Sequence, residues 1–220
     1  MAENEASEAE KAVAARAAAA LVEDGMTVGL GTGSTVAHLL PALAERGLSG
    51  IRCVATSPAT EQAARALGIE VEEFNSLERL EIAIDGTDQV TPDGWLIKGG
   101  GGAHLREKIV AAAAERFIVI ADSTKPVDEL RAPVPVELFS FGLKSTLQRL
   151  GDIVIRDAPA SPDGGVIADY GGDTANPASL AAWLEADPGV SAHGLFPPAM
   201  VSEVIVGRGA GVERIELPRA

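Results

Sequence analysis

Four short apolar runs punctuate the first 121 residues: Met26-Thr27-Val28-Gly29-Leu30, Ile51-Arg52-Cys53-Val54-Ala55, Leu80-Glu81-Ile82-Ala83-Ile84 and Phe117-Ile118-Val119-Ile120-Ala121. Each has the length of a strand, and helical stretches separate them. An Ala-rich segment over 7–23 stops at Gly25, and a second helix runs to about Arg46. A third passes through Gln62–Leu67 and closes at Gly68, and a fourth covers 103–115. Glycine just past a helical run is a stop signal, because it accepts the left-handed conformation there. Strands that alternate with helices pair in parallel, since each helix carries the chain back across the sheet. The pattern predicts an α/β fold with a mostly parallel sheet covered by helices.

After residue 130 the texture changes. Pro133-Val134-Pro135-Val136 is expected to stay out of a sheet interior, because proline brings no N–H to the ladder. A helix over 142–150, strands near 152–156 and 164–169, a helix from Pro177 to Glu185, and strands near 190–195 and 201–206 follow. That order suits a small antiparallel α+β domain.

Composition narrows the function. The formal net charge is −14, whereas nucleic acid and anionic membranes require a basic footprint. No apolar run reaches the roughly 18 residues that a membrane span needs. The acidic stretch Met1–Glu10 does not read as a signal peptide, so a cytoplasmic protein is expected. Cys53 stands alone, which leaves no internal disulfide and no cysteine-based structural metal site. His38, His104 and His193 show no ligand spacing, so no metal is expected.

The chemistry-bearing residues gather where strands end. Gly29-Leu30-Gly31-Thr32-Gly33-Ser34-Thr35 closes a strand and opens a helix, offering N–H groups and hydroxyls to a phosphate or other anion. A dinucleotide fingerprint fits poorly: its third glycine falls on Ser34 or Val36, depending on the frame. No Gly-Lys-[Ser/Thr] occurs, which excludes a nucleoside-triphosphate loop. Asp85-Gly86-Thr87-Asp88 places two carboxylates around a turn at the end of the third strand, the edge at which open α/β sheets hold ligands. Lys98 precedes Gly99-Gly100-Gly101-Gly102, a run costly in backbone entropy unless bare backbone must approach something. Glu107 lies about one turn into the helix that follows. Lys125 ends Ala121-Asp122-Ser123-Thr124-Lys125 at the same edge.

Together, Gly31–Thr35, Asp85–Asp88, Lys98–Gly101 with Arg106-Glu107-Lys108, and Ala121–Lys125 resemble the ribose-5-phosphate isomerase type A family in order and spacing. Pro188-Gly189-Val190 and Gly194-Leu195-Phe196 are similar to its C-terminal third. The resemblance implies a Rossmann-like large catalytic domain, residues 1–130 plus 198–220, with a smaller ferredoxin-like α+β domain, 131–197, inserted. It implies an aldose–ketose isomerase working through a cis-enediolate without cofactor or metal, and a homodimer or homotetramer. By position, Glu107 resembles the base that moves a proton between C2 and C1. Asp85 resembles the group that handles the hydroxyl proton, and Asp88 the one that assists ring opening and holds the sugar. Lys98 with the N–H groups of Gly99, Gly100 and Gly101 stabilises the enediolate oxygen. Thr32, Gly33, Ser34, Thr35, Gly86, Thr87 and Lys125 complete the contacts to the phosphorylated pentose. Gln89, where the family commonly has glutamate, Ala55-Thr56-Ser57-Pro58 and His104 depart from the pattern. Within the wider fold group, an amino-sugar-phosphate deaminase or an acyl-CoA transferase is the alternative enzyme, and a non-catalytic sugar-phosphate sensor the alternative of another class.

Overall fold

In the computed structural model, which describes residues 2–217, the alternation becomes a chain of six helices and thirteen strands among the described residues. It begins α1 (Ala2–Ala19), β1 (Thr27–Leu30), α2 (Ser34–Glu45), β2 (Arg52–Ala55), α3 (Pro58–Ala66) and β3 (Leu80–Gly86). Next come β4 (Gln89–Val90), β5 (Leu96–Ile97), α4 (His104–Ala113) and β6 (Ala114–Ala121). The chain continues through β7 (Val134–Leu138), α5 (Leu143–Leu150), β8 (Ile153–Ile155), β9 (Val166–Tyr170) and α6 (Pro177–Ala186). It ends with β10 (Val190–His193), β11 (Leu195–Phe196), β12 (Glu203–Arg208) and β13 (Gly211–Glu216).

Two compact units result. The first holds the residues up to Thr87, Arg106–Lys125 and those from Pro198 on; the second holds Asp88–Leu105 and Pro126–Pro197. The limits expected at 130 and 131 differ from this division, because Asp88–Leu105 and the residues from Pro126 belong with the second unit. Pairing explains it: β5 runs antiparallel to β11, and the Gln89 side chain bonds the backbone of Arg131 in both directions.

The first unit is built on a six-stranded sheet of order β13-β12-β6-β3-β1-β2. Its neighbours are parallel except for the β12–β13 hairpin. Alternate residues of the central strands, Val28, Leu30, Ile82, Ile84, Ile118 and Ile120, are buried in one core with Ala14, Ala18, Leu39 and Leu43 of α1 and α2. Each such aliphatic side chain contributes about 1.5–3 kcal/mol by leaving water. Close approach fixes the helix seats. A Cβ on Gly207 of β12 would lie 2.1 Å from the Glu10 carbonyl oxygen of α1. A Cβ on Gly29, whose position points to the other face of β1, would lie 2.5 Å from Val110 of α4.

In the second unit β7-α5-β8-β9-α6-β10 forms an antiparallel sheet of order β10-β7-β9-β8, the ferredoxin-like βαββαβ topology. Its core contains Val134, Val136, Leu138, Leu150, Leu180 and Leu184. Here one expectation is overturned: the Pro133–Val136 segment supplies β7, an interior strand. Pro135 is tolerated because β10 ends opposite Val136. Beyond that point the Pro135 carbonyl accepts from Gly194 N–H at 2.7 Å, and no ladder partner is left waiting for a donor. A three-stranded sheet, β11-β5-β4, completes this unit. No described helix is long and apolar enough to cross a membrane.

Candidate active site

Strands β1, β3 and β6 are consecutive neighbours in the first sheet, so the loops that follow them share its C-terminal edge. At the end of β1, Gly31 N–H bonds the Ile84 carbonyl at 3.0 Å, and the chain then turns into α2. The N-cap of α2 is Gly33, which has φ 127° and brings no side chain to cap the helix. Among the described residues, the N–H groups of Ser34, Thr35 and Val36 donate to nothing. A helix start with open donors and its positive dipole end is suited to an anion.

Asp85 is fastened to this loop. It is buried near the end of β3, and its Oδ1 accepts from Thr32 N–H at 3.0 Å and Gly86 N–H at 2.7 Å. Only glycine fits at position 31, since a Cβ there would lie 1.9 Å from Asp85 Oδ1. Thr35 is buried, and a Cβ on Gly86 would sit 3.9 Å from its hydroxyl. Thr87 is also buried.

Glu107 lies in the first turn of α4 and is 3% exposed. Val110, three residues on, packs at Gly29 of β1, so Glu107 occupies the same helix face one turn nearer the start. Lys125, half-buried, follows β6 at the end of a fixed turn. Asp122 Oδ1 accepts from the N–H and hydroxyl of Thr124, Lys125 N–H bonds the Asp122 carbonyl, and Ser123 N–H bonds Glu10 of α1 at 3.0 Å.

The second unit brings Asp88, Lys98 and the glycine run together. Lys98, 2% exposed, follows β5, with its N–H on the Gly194 carbonyl at 2.8 Å. Its ammonium lies 5.5 Å from the centre of the Phe196 ring, a cation–π distance. A Cβ on Gly194 would lie 2.1 Å from the Lys98 carbonyl oxygen. Asp88 N–H bonds the Ile97 carbonyl, and Gly100 N–H donates to Asp88 Oδ2 at 2.8 Å. Gly99 has φ 103°, and a Cβ on it would lie 2.7 Å from His104 Nδ1.

Several contacts lay beyond what the sequence signals. Of the three N–H groups expected to face an oxyanion, that of Gly100 already donates to Asp88. The Thr32 hydroxyl is 2.7 Å from that of Thr56, and the Thr60 hydroxyl donates to the Gly31 carbonyl, so the departing segment Ala55–Pro58 braces the anion loop. Ser57 caps α3 with Pro58 in its first turn, a helix-start signal readable in the sequence. Gln89, in place of glutamate, donates to the Arg131 carbonyl at 2.7 Å and accepts from its N–H at 2.8 Å, which a carboxylate cannot do. Phe196 under Lys98 had no sequence signal of its own. Burial pushes the Cys53 thiol up to about 12, with a smaller push from the Glu72 carboxylate, so no thiolate forms there near neutral pH. Among the described residues no three His, Cys, Asp or Glu side chains group as metal ligands.

Comparison with known proteins gives the family. Residues 52–211 match the family model described as ribose 5-phosphate isomerase A (phosphoriboisomerase A). The chain is 45% identical to ribose-5-phosphate isomerase A of Gluconobacter oxydans over 94% of this chain and 96% of that one. A crystal structure of ribose 5 phosphate isomerase A from Neisseria gonorrhoeae superposes with a TM-score of 0.91 at 32% identity, covering 97% of this chain and 98% of that one. A D-ribose-5-phosphate isomerase in complex with phospho-erythronic acid superposes with a TM-score of 0.89 at 34% identity, covering 96% and 99%. With fold and sequence in agreement along nearly its whole length, this chain belongs to the ribose 5-phosphate isomerase A family.

Proposed function

We propose that this protein is a cytoplasmic ribose-5-phosphate isomerase, interconverting D-ribose 5-phosphate and D-ribulose 5-phosphate in the non-oxidative pentose phosphate pathway. The observation that carries this reading is the fastening of an uncapped helix start to a buried carboxylate through Thr32 N–H and Asp85 Oδ1. It joins a phosphate-type site to a proton-handling group, as a sugar phosphate requires.

The C2–H of an aldose is a weak acid, so a base alone is insufficient; the oxygen that gains charge needs fixed donors in a water-poor site. Glu107 takes the C2 proton. The C–H electron pair becomes the C1=C2 bond, and the carbonyl pair moves onto O1. Asp85 passes the O2 proton toward O1, and Glu107 returns its proton to C1, leaving the ketone at C2. One carboxylate serves both carbons if it is within hydrogen-bond reach of each. Lys98 and the Gly99 and Gly101 N–H groups hold the enediolate oxygen, while Asp88, which takes the Gly100 N–H, assists ring opening. The α2 N–H groups and Lys125 hold the phosphate. No cofactor takes part. The first unit supplies the base and the phosphate loop in this reading, and the assembly is a homodimer or homotetramer, which sedimentation would show as two or four chain masses.

The test is to supply ribose 5-phosphate with EDTA present and follow ribulose 5-phosphate. The unmutated protein turns over, and Glu107→Gln loses about 10³-fold in kcat while phospho-erythronic acid still binds. Normal turnover by Glu107→Gln contradicts the assigned base. Binding without turnover by the unmutated protein contradicts the isomerase.

A further inference from the structure

The glycine run owes its shape to a residue 57 positions away in sequence. Arg156, just past β8, extends the pairing to β9 through its N–H on the Ile167 carbonyl at 3.0 Å. Its Nε and Nη2 grip the two oxygens of Asp169 on β9 at 2.7 and 2.6 Å. That bidentate grip fixes the guanidinium plane. The remaining nitrogen, Nη1, donates to the carbonyls of Gly99 at 2.9 Å and Gly100 at 3.1 Å. Gly99 O also accepts from Gly102 N–H at 3.0 Å, closing a turn over Gly100 and Gly101.

A peptide unit is planar and trans, so a fixed C=O fixes the opposed N–H of the next residue. The Gly99–Gly100 plane is held at both ends, by Arg156 at the carbonyl and by Asp88 Oδ2 at the N–H. The Gly100–Gly101 plane is held at its carbonyl alone. Its far end is the Gly101 N–H, which donates to nothing among the described residues. Four glycines without such a clamp would sample both signs of φ, and a donor must be aimed before the reaction to stabilise charge that forms during it.

We propose that Arg156, set by Asp169, is a positioning residue of the isomerase: it clamps the Gly99 and Gly100 carbonyls and so aims the Gly101 N–H at the developing enediolate oxygen. The proposal rests on the isomerase reading above, and the planarity of the two peptides transmits it. Arg156 itself touches no reacting atom.

The experiment compares the unmutated protein with Arg156→Ala, Arg156→Lys and Asp169→Asn in ribose 5-phosphate turnover. Inhibition constants for phospho-erythronic acid and for inorganic phosphate are measured beside it. Arg156→Ala is expected to lose about 10–100-fold in kcat with KM within about threefold. It should bind phospho-erythronic acid at least fivefold more weakly and inorganic phosphate unchanged. Added guanidinium ion should recover part of the lost kcat in Arg156→Ala and none in the unmutated protein. Arg156→Lys, which keeps the charge without the fork, should stay about tenfold impaired, and Asp169→Asn should fall between. If Arg156→Ala fails to fold, Asp169→Asn and Arg156→Lys carry the same comparison. A kcat within twofold of the unmutated protein overturns the proposal. So does a parallel loss in kcat, KM and phosphate binding with no guanidinium recovery, the pattern of a merely structural residue. An unmutated protein that never isomerises overturns the functional reading instead.

Discussion

At the scale of single residues, the site depends on side chains that are missing. Gly31 has an ordinary backbone conformation, yet no other residue fits, because a Cβ would sit 1.9 Å from Asp85 Oδ1. Gly31→Ala must push the carboxylate aside and break its bond to Thr32 N–H. We expect kcat to fall about 100-fold and stability to fall by about 2 kcal/mol, measured by turnover and denaturant unfolding. Gln89→Glu is a second test. It leaves the Arg131 carbonyl without its donor and costs about 1–2 kcal/mol with little change in kcat, read from the same two assays. The sequence led to the expectation that the Gly31–Thr35 loop holds an anion. It did not show why position 31 is glycine, since the reason lies on a strand 54 residues later. Nor did it show that Gly100 N–H is used by Asp88, for a run of glycines carries no mark of which donor is engaged.

At the scale of elements, alternating apolar runs and glycine stops were enough to place β1, β2, β3 and β6 and the helices between them, because their periodicity reports burial directly. The proline-rich β7 was not legible. Its tolerance depends on where the neighbouring strand β10 ends, which is a property of the pair. The short strands β4 and β11 carry two residues each, too few for a period to register. Helix α1 has a further task at this scale. Glu10 accepts from Gly209 N–H at 2.8 Å and Ser123 N–H at 3.0 Å, tying the β12–β13 turn and the Lys125 turn to one helix. These two donors hold the Glu10 carboxyl below the usual carboxylate range. A carboxyl whose folded value is depressed stabilises the fold above its unfolded value and loses that contribution as pH falls through the folded one. The melting-temperature advantage of the unmutated protein over Glu10→Gln should therefore be constant above about pH 6 and shrink between about pH 5 and pH 3. An advantage that grows on acidification would contradict this assignment.

At the scale of the whole molecule, the fold class and a small antiparallel α+β unit were readable from the order of elements, while the division of the chain was not. Asp88–Leu105 was expected in the large domain, because it lies between two of that domain's strands in sequence. It belongs to the second unit because its hydrogen bonds go to Arg131 and Gly194, partners that only the folded chain supplies. The measurement that separates this mechanism from its rivals is turnover of ribose 5-phosphate in D2O, with deuterium located by NMR. A carboxylate base that exchanges its proton with solvent predicts deuterium at C1 of ribulose 5-phosphate and at C2 of recovered ribose 5-phosphate, with product and label both slowed about 10³-fold in Glu107→Gln. Label appearing at the same rate in Glu107→Gln would contradict the assignment of Glu107 as the base.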